Sequence, residues 1–178
     1  MEKANNISKV FAVIALIAAS IWIGSYLTRL FIIYQLFEGP DLILKSFISE
    51  LNISGILSSL LPAIVTHNIA FLIMIPSVAL FFIFSKISLR FNGWLFIILI
   101  AIVITLPFEI YLMLIDYKII TLLNSNTFDS NLVIQLLRDR IKDLSSFSLV
   151  AIFTYVSFFF FIVFQPLTKN KVSNHENK

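Results

Sequence analysis

Residues 60–84 read LLPAIVTHNIAFLIMIPSVALFFIF, a run in which Thr66, His67, Asn68 and Ser77 are the only polar side chains. A helix needs about 20 predominantly apolar residues to cross the hydrocarbon of a bilayer, and this run exceeds that length. It reads as a membrane span. What it leaves open is why a Thr, a His and an Asn stand side by side near one of its ends.

Three further stretches have the same character: Val10 to Phe37, Trp94 to Ile115 and Phe147 to Phe164. The whole chain of 178 residues is 59% hydrophobic with a mean hydropathy of +0.97, more apolar surface than a water-soluble domain of this size can hide. The expected fold class is therefore an all-α membrane protein, a four-helix bundle occupying residues 1–168 as a single transmembrane domain, followed by a solvated tail over 169–178. Lys3 and Lys9 precede the first span as they would a secretory signal, but its hydrophobicity continues through IWIGSYL, past the length of a signal core. The first span is read as uncleaved.

Four spans place both termini on one side. Lys and Arg favour cytoplasmic segments. With the termini inside, the inner segments carry Lys3, Lys9, Lys86, Arg90, Lys169, Lys171 and Lys178 against Glu2 and Glu176 alone. This arrangement predicts a multi-pass protein of the plasma (cytoplasmic) membrane with both ends cytoplasmic. Both outer connections are expected to form short amphipathic helices. The first would open at Pro40 and Asp41 and align Leu44, Phe47, Ile48 and Leu51; the second, capped by Asp129 or Ser130, would align Val133, Leu137, Ile141 and Leu144.

Placing each span in its direction brings the costly residues together. Arg29, His67, Asn68 and Glu109, with Asp116 close by, are expected at one depth, roughly 10 Å inside the outer helix ends at 1.5 Å per residue. Thr28, Gln35, Thr66 and Thr105 would be secondary members of this polar intramembrane cluster. A charge at the bilayer centre costs on the order of 3 kcal/mol even on lenient scales, which predicts that Arg29 and Glu109 face inward and pair. Pro76 and Pro107 predict kinks in their helices.

Much chemistry is missing from the chain. There is no Cys, no Gly-rich phosphate loop and no paired His spacing; the second His, His175, falls in the tail. No cofactor, metal or catalytic residue is implied. The net charge of +3 is scattered over segment ends and does not form a nucleic-acid footprint. Expected partners are membrane lipid and another membrane protein or a second copy of the chain. These features point to a non-catalytic bundle serving as an accessory or interaction subunit of a membrane complex. A small transporter or proton relay using the polar layer is the alternative, and an enzyme acting near lipid headgroups a more distant one.

The topology is directly testable because the chain lacks Cys. In intact cells, a membrane-impermeant thiol reagent should label Ser49→Cys and leave Ser88→Cys untouched. The reverse pattern would invert the orientation.

Overall fold

The computed structural model of the protein describes residues 5–49, 51–125, 129–143 and 147–168. Among these described residues five helices follow one another: α1 (Asn6–Leu36), α2 (Ile53–Phe84), α3 (Gly93–Leu123), α4 (Ser130–Asp143) and α5 (Phe147–Phe164). Of these, α1, α2, α3 and α5 are long and apolar enough to cross a membrane. The protein is an integral, multi-pass membrane protein. The tail over 169–178 and Leu144 lie outside the described residues.

Each long helix turns a stripe of residues three and four apart toward the interior. On α1 the stripe is Ala15, Ala18, Trp22, Tyr26, Arg29, Ile33 and Leu36; on α3 it is Ile98, Ile102, Thr105, Glu109, Leu112, Asp116 and Ile119. The opposite faces remain open, as in Ile17, Ile21 and Phe31 of α1 or Val103, Ile104 and Leu114 of α3. Such faces suit contact with lipid, where exposed apolar atoms carry no cost. The helices close a ring, with α1 against α2 along its length, α2 against α3, α3 against α5, and α5 back against α1. At the end opposite α4, the amide of Gly93 donates to the carbonyl of Leu167 at 3.2 Å, tying the start of α3 to the chain just beyond α5.

Three helices outrun the expected spans. α1, α2 and α3 have 31, 32 and 31 residues, about 47 Å each at 1.5 Å per residue, against a hydrocarbon thickness of about 30 Å. The excess gathers largely at the end that carries α4: α2 begins at Ile53 rather than Leu60, and α3 runs on past Asp116 to Leu123. Apolar residues continue there, Leu57 and Leu60 on α2 and Ile115 and Ile119 on α3, so the helices have a second core to build.

The two connections behave differently. Among the described residues between α1 and α2 there is no amphipathic helix. Phe37–Glu38 (β1) and Ile43–Leu44 (β2) form a small antiparallel hairpin, followed by turns. Gly39 and Leu42 take positive φ values of 68° and 53°, which no right-handed helix tolerates. The Asn52 side chain then holds the loop, accepting from the Ser49 amide at 2.9 Å and donating to the Phe47 carbonyl at 2.8 Å. Local side-chain bonding of this kind competes with helix formation.

The second connection contains α4. The Asp129 carboxylate caps it, accepting from the amides of Asn131 and Leu132 at 3.0 and 3.2 Å. Its buried face, Val133, Ile134 and Leu137, packs with Ile33, Leu36, Leu57, Leu60, Ile64 and Ile119 into one hydrophobic cluster. α4 thus covers the bundle end with its apolar face inward. On the far side, Arg138 donates to the Leu42 carbonyl at 3.0 Å and lies 5.6 Å from the Phe37 ring centroid, which fastens the hairpin.

If α4 is held by that face, Leu137→Ala should destabilise the protein by about 2–5 kcal/mol, the usual loss for emptying a buried Leu site. Leu132→Ala, on the exposed face of α4, should stay within about 0.5 kcal/mol. Thermal unfolding in mild detergent would compare them; equal losses would place α4 differently.

Candidate functional site

The interior contains two hydrophobic clusters with a polar layer between them. One cluster is the α4-end core; the other extends through Trp22, Tyr26, Phe71, Met74, Trp94 and Tyr155 toward the opposite end. On α2 the boundary falls between Ile64 and Ala70, where His67 and Asn68 stand. On α1 it falls between Tyr26 and Ile33, where Arg29 stands.

Asp116 is the centre of the layer. It is fully buried and takes two cations: Arg29 Nη1 donates to Oδ2, and Arg140 Nε donates to Oδ1 at 2.9 Å. Arg29 is 1% exposed and Arg140 is 5% exposed, so neither charge has water to fall back on. Both guanidiniums also lie near the Tyr26 ring, 5.1 Å and 6.0 Å from its centroid, within range of cation–π attraction. Burial works against the Arg140 cation, but the groups around it, Asp116 foremost, together outweigh this and hold the pKa above the ordinary arginine value. One carboxylate thereby joins α1, α3 and α4.

This arrangement changes the expected pairing. Arg29 pairs with Asp116, not with Glu109. The reason is depth. Arg29 stands seven residues from the end of α1 and Asp116 seven from the end of α3, each about 10 Å down. His67 and Glu109 stand fourteen residues from their helix ends, about 21 Å down. The expected single layer is two levels, because α2 and α3 extend further than their apolar spans alone indicate.

The lower level is aromatic and incompletely paired. The Trp22 ring lies tilted against three neighbours, 5.0 Å from Tyr26, 5.2 Å from His67 and 4.6 Å from Tyr155, and Tyr26 meets His67 edge-on at 5.0 Å. Thr105 Oγ1 bonds its own helix at Ala101 and lies 3.1 Å from the Tyr155 hydroxyl. Glu109 is fully buried, and neither carboxylate oxygen has a hydrogen-bond partner among the described residues. His67 Nδ1, Asn68 Oδ1 and the Nη2 atoms of Arg29 and Arg140 are in the same position. In formal charge the layer balances, since Glu109 supplies the second negative charge against two guanidiniums.

Three expected secondary members lie elsewhere. Thr66, Thr28 and Gln35 are exposed; Thr28 turns its hydroxyl back to the Gly24 carbonyl at 2.9 Å. Facing His67 and Asn68 inward rotates Thr66, one residue earlier, out of the interior. Thr105 is buried in the layer as expected. Arg140 is the member that sequence reasoning missed. It belongs to the second outer connection, and it follows Val133 by seven residues and Leu137 by three, on the buried stripe of α4. Trp22, Tyr26 and Tyr155 were equally legible from their place on the helical stripes.

Asp116→Asn should be the most damaging single change here, because it leaves two buried cations without their carboxylate; losses of about 3–5 kcal/mol follow from removing one partner of a buried pair. Arg29→Met combined with Asp116→Asn should cost clearly less than the sum of the two. Arg29→Met with Glu109→Gln should be closer to additive. Thermal midpoints in detergent would decide, and the opposite pattern of coupling would restore the Arg29–Glu109 pair.

The chain matches no protein-family model, no curated protein and no solved structure.

Proposed function

We propose that the protein is a non-catalytic bundle of the plasma membrane, with both termini cytoplasmic, that serves as an accessory or interaction subunit of a membrane complex. The observation that carries this reading is the rim at the α4 end. Ile43, Phe47 and Leu51 are 59%, 57% and 96% exposed, on a connection that is held in shape by the hairpin, the Asn52 side chain and Arg138. Beside them lies a half-polar cleft of about 440 Å³, lined by Leu44, Ile48, Ser49, Ile53, Asp129, Ser130, Asn131 and Ile134. An ordered apolar rim bordering a cleft with hydrogen-bonding groups is the composition of a recognition surface. The apolar face of α4, by contrast, is spent on the bundle. Asp116 and its two arginines are likewise engaged in holding helices together.

The test is purification in gentle detergent with identification of co-purifying chains. A stoichiometric partner is expected with the native chain. It should be lost at unchanged abundance when Ile43, Phe47 and Leu51 are all replaced by Ser. A solitary chain in both cases would contradict the reading.

A second reading, a proton relay or small transporter, is favoured by one observation: Glu109 is a buried carboxylate with both oxygens unpartnered among the described residues, and His67, equally far down its own helix, has an Nδ1 that is unpartnered too. Intramembrane ionisable groups without structural partners are commonly functional. Under this reading Glu109→Gln and His67→Asn abolish proton movement across liposomes carrying the protein, at normal abundance. Under the first reading, the native chain moves none.

A further inference from the structure

The outward-facing side chains change character partway along the bundle. From Val10 to Gly24 of α1, Ile69 to Phe84 of α2, Phe96 to Ile110 of α3 and Leu149 to Phe164 of α5, every exposed residue lacks a polar side chain except Ser20. The Ser20 hydroxyl returns to its own helix, donating to the Leu16 carbonyl at 2.9 Å. Nearer α4 the exposed positions turn polar: Thr28 and Gln35 on α1, Ser58 and Thr66 on α2, Lys118 and Thr121 on α3. Tyr34, Tyr111 and Tyr117 are exposed among them, and tyrosine gathers where hydrocarbon meets headgroups.

The change falls at one height. Trp22 and His67, just below it on α1 and α2, have ring centroids 5.2 Å apart, and Phe108 and Phe147, just below it on α3 and α5, have theirs 4.8 Å apart. The apolar belt also has the thickness of a bilayer core. Lys9 to Thr28, Thr66 to Ser85 and Asn92 to Tyr111 are each nineteen residues apart, about 28 Å of helix, and the 18 residues of α5 give about 27 Å. The hydrocarbon layer measures about 30 Å.

We infer that hydrocarbon covers this belt alone, and that Tyr34, Tyr111, Tyr117 and Lys118 form a collar that binds lipid headgroups at its α4-side edge. The tyrosine rings meet the apolar boundary with their hydroxyls toward water, and Lys118 extends its ammonium to the phosphates. Asp116, five residues beyond Tyr111 or about 8 Å, lies at headgroup level, shielded by protein rather than by lipid tails. The rim stands higher. Ile53 is thirteen residues beyond Thr66, about 20 Å, whereas headgroups add about 5–8 Å on each side. If the rim recognises a partner, a consequence that rests on the function proposed above, the two meet in water and not within the membrane.

The experiment uses the absence of Cys to place single spin labels on the full chain in phosphatidylcholine vesicles. Oxygen, concentrated in hydrocarbon, and a nickel chelate, confined to water, compete as relaxants. Labels at Ile104→Cys and Phe153→Cys should respond to oxygen, and the preference should reverse at Ser58→Cys and Thr121→Cys. Hydroxyl-radical footprinting of the unmodified chain in the same vesicles gives a measure that does not depend on variants folding: Tyr34 and Tyr117 should be oxidised, and Phe96 and Phe153 protected. Labels at Ser58 and Thr121 that respond as Ile104 does, or tyrosines protected as fully as Phe153, would overturn the inference. Neither measurement needs a partner, so its outcome is separate from that of the co-purification.

Discussion

A single buried carboxylate serves two buried guanidiniums. In a bilayer an uncompensated charge cannot be left in place, so the position of Asp116 dictates where Arg29 and Arg140 must be. This fixes the rotation of α1 and α3 about their axes, and it holds α4 down over the bundle end through a contact that apolar packing alone would not specify. Buried ion pairs are poor sources of net stability but good at excluding wrong registers. In a bundle dominated by interchangeable Phe, Ile and Leu, with 19 Phe in 178 residues, that exclusion matters.

The ionic layer also divides the interior into regions with different tasks. The α4 side is a second hydrophobic core that extends the helices beyond the length needed to cross hydrocarbon, and it supports the hairpin and the exposed rim. The opposite side is looser, built from alanines and large aromatic rings, and there a cavity remains. Between them Glu109 lies buried without joining the hydrogen bonds of the layer. A buried carboxyl group that holds no helix in place is the natural place to look for proton chemistry, which is why the relay reading remains attached to it.

The architecture was legible in the sequence because hydrophobic length is a strong signal: four apolar runs gave four membrane helices, and the membership of Arg29, His67, Asn68, Glu109, Asp116 and Thr105 in the interior followed from spacing. What failed did so for identifiable reasons. The spacing of Leu44, Phe47, Ile48 and Leu51 suits a helix, but positive φ at Gly39 and Leu42 and the bonding of Asn52 outweigh it. Hydropathy alone does not give depth, because it ends a span where the apolar run ends, whereas the helices continue as long as there is a core to pack against. Arg140 was overlooked because an Arg in a connection reads as solvated; its position on the stripe with Val133 and Leu137 was the better guide.

The central claim is that Asp116 binds both arginines and Glu109 binds neither directly. Solid-state NMR of the protein in lipid bilayers, with isotope labels in the arginine guanidiniums and the side-chain carboxylates, measures this through dipolar couplings that fall steeply with distance. Strong couplings from the Asp116 carboxylate to two guanidiniums, assigned by loss of one in Arg29→Met and of the other in Arg140→Met, are the predicted result. A strong coupling between Arg29 and Glu109, or only one guanidinium at Asp116, would contradict it.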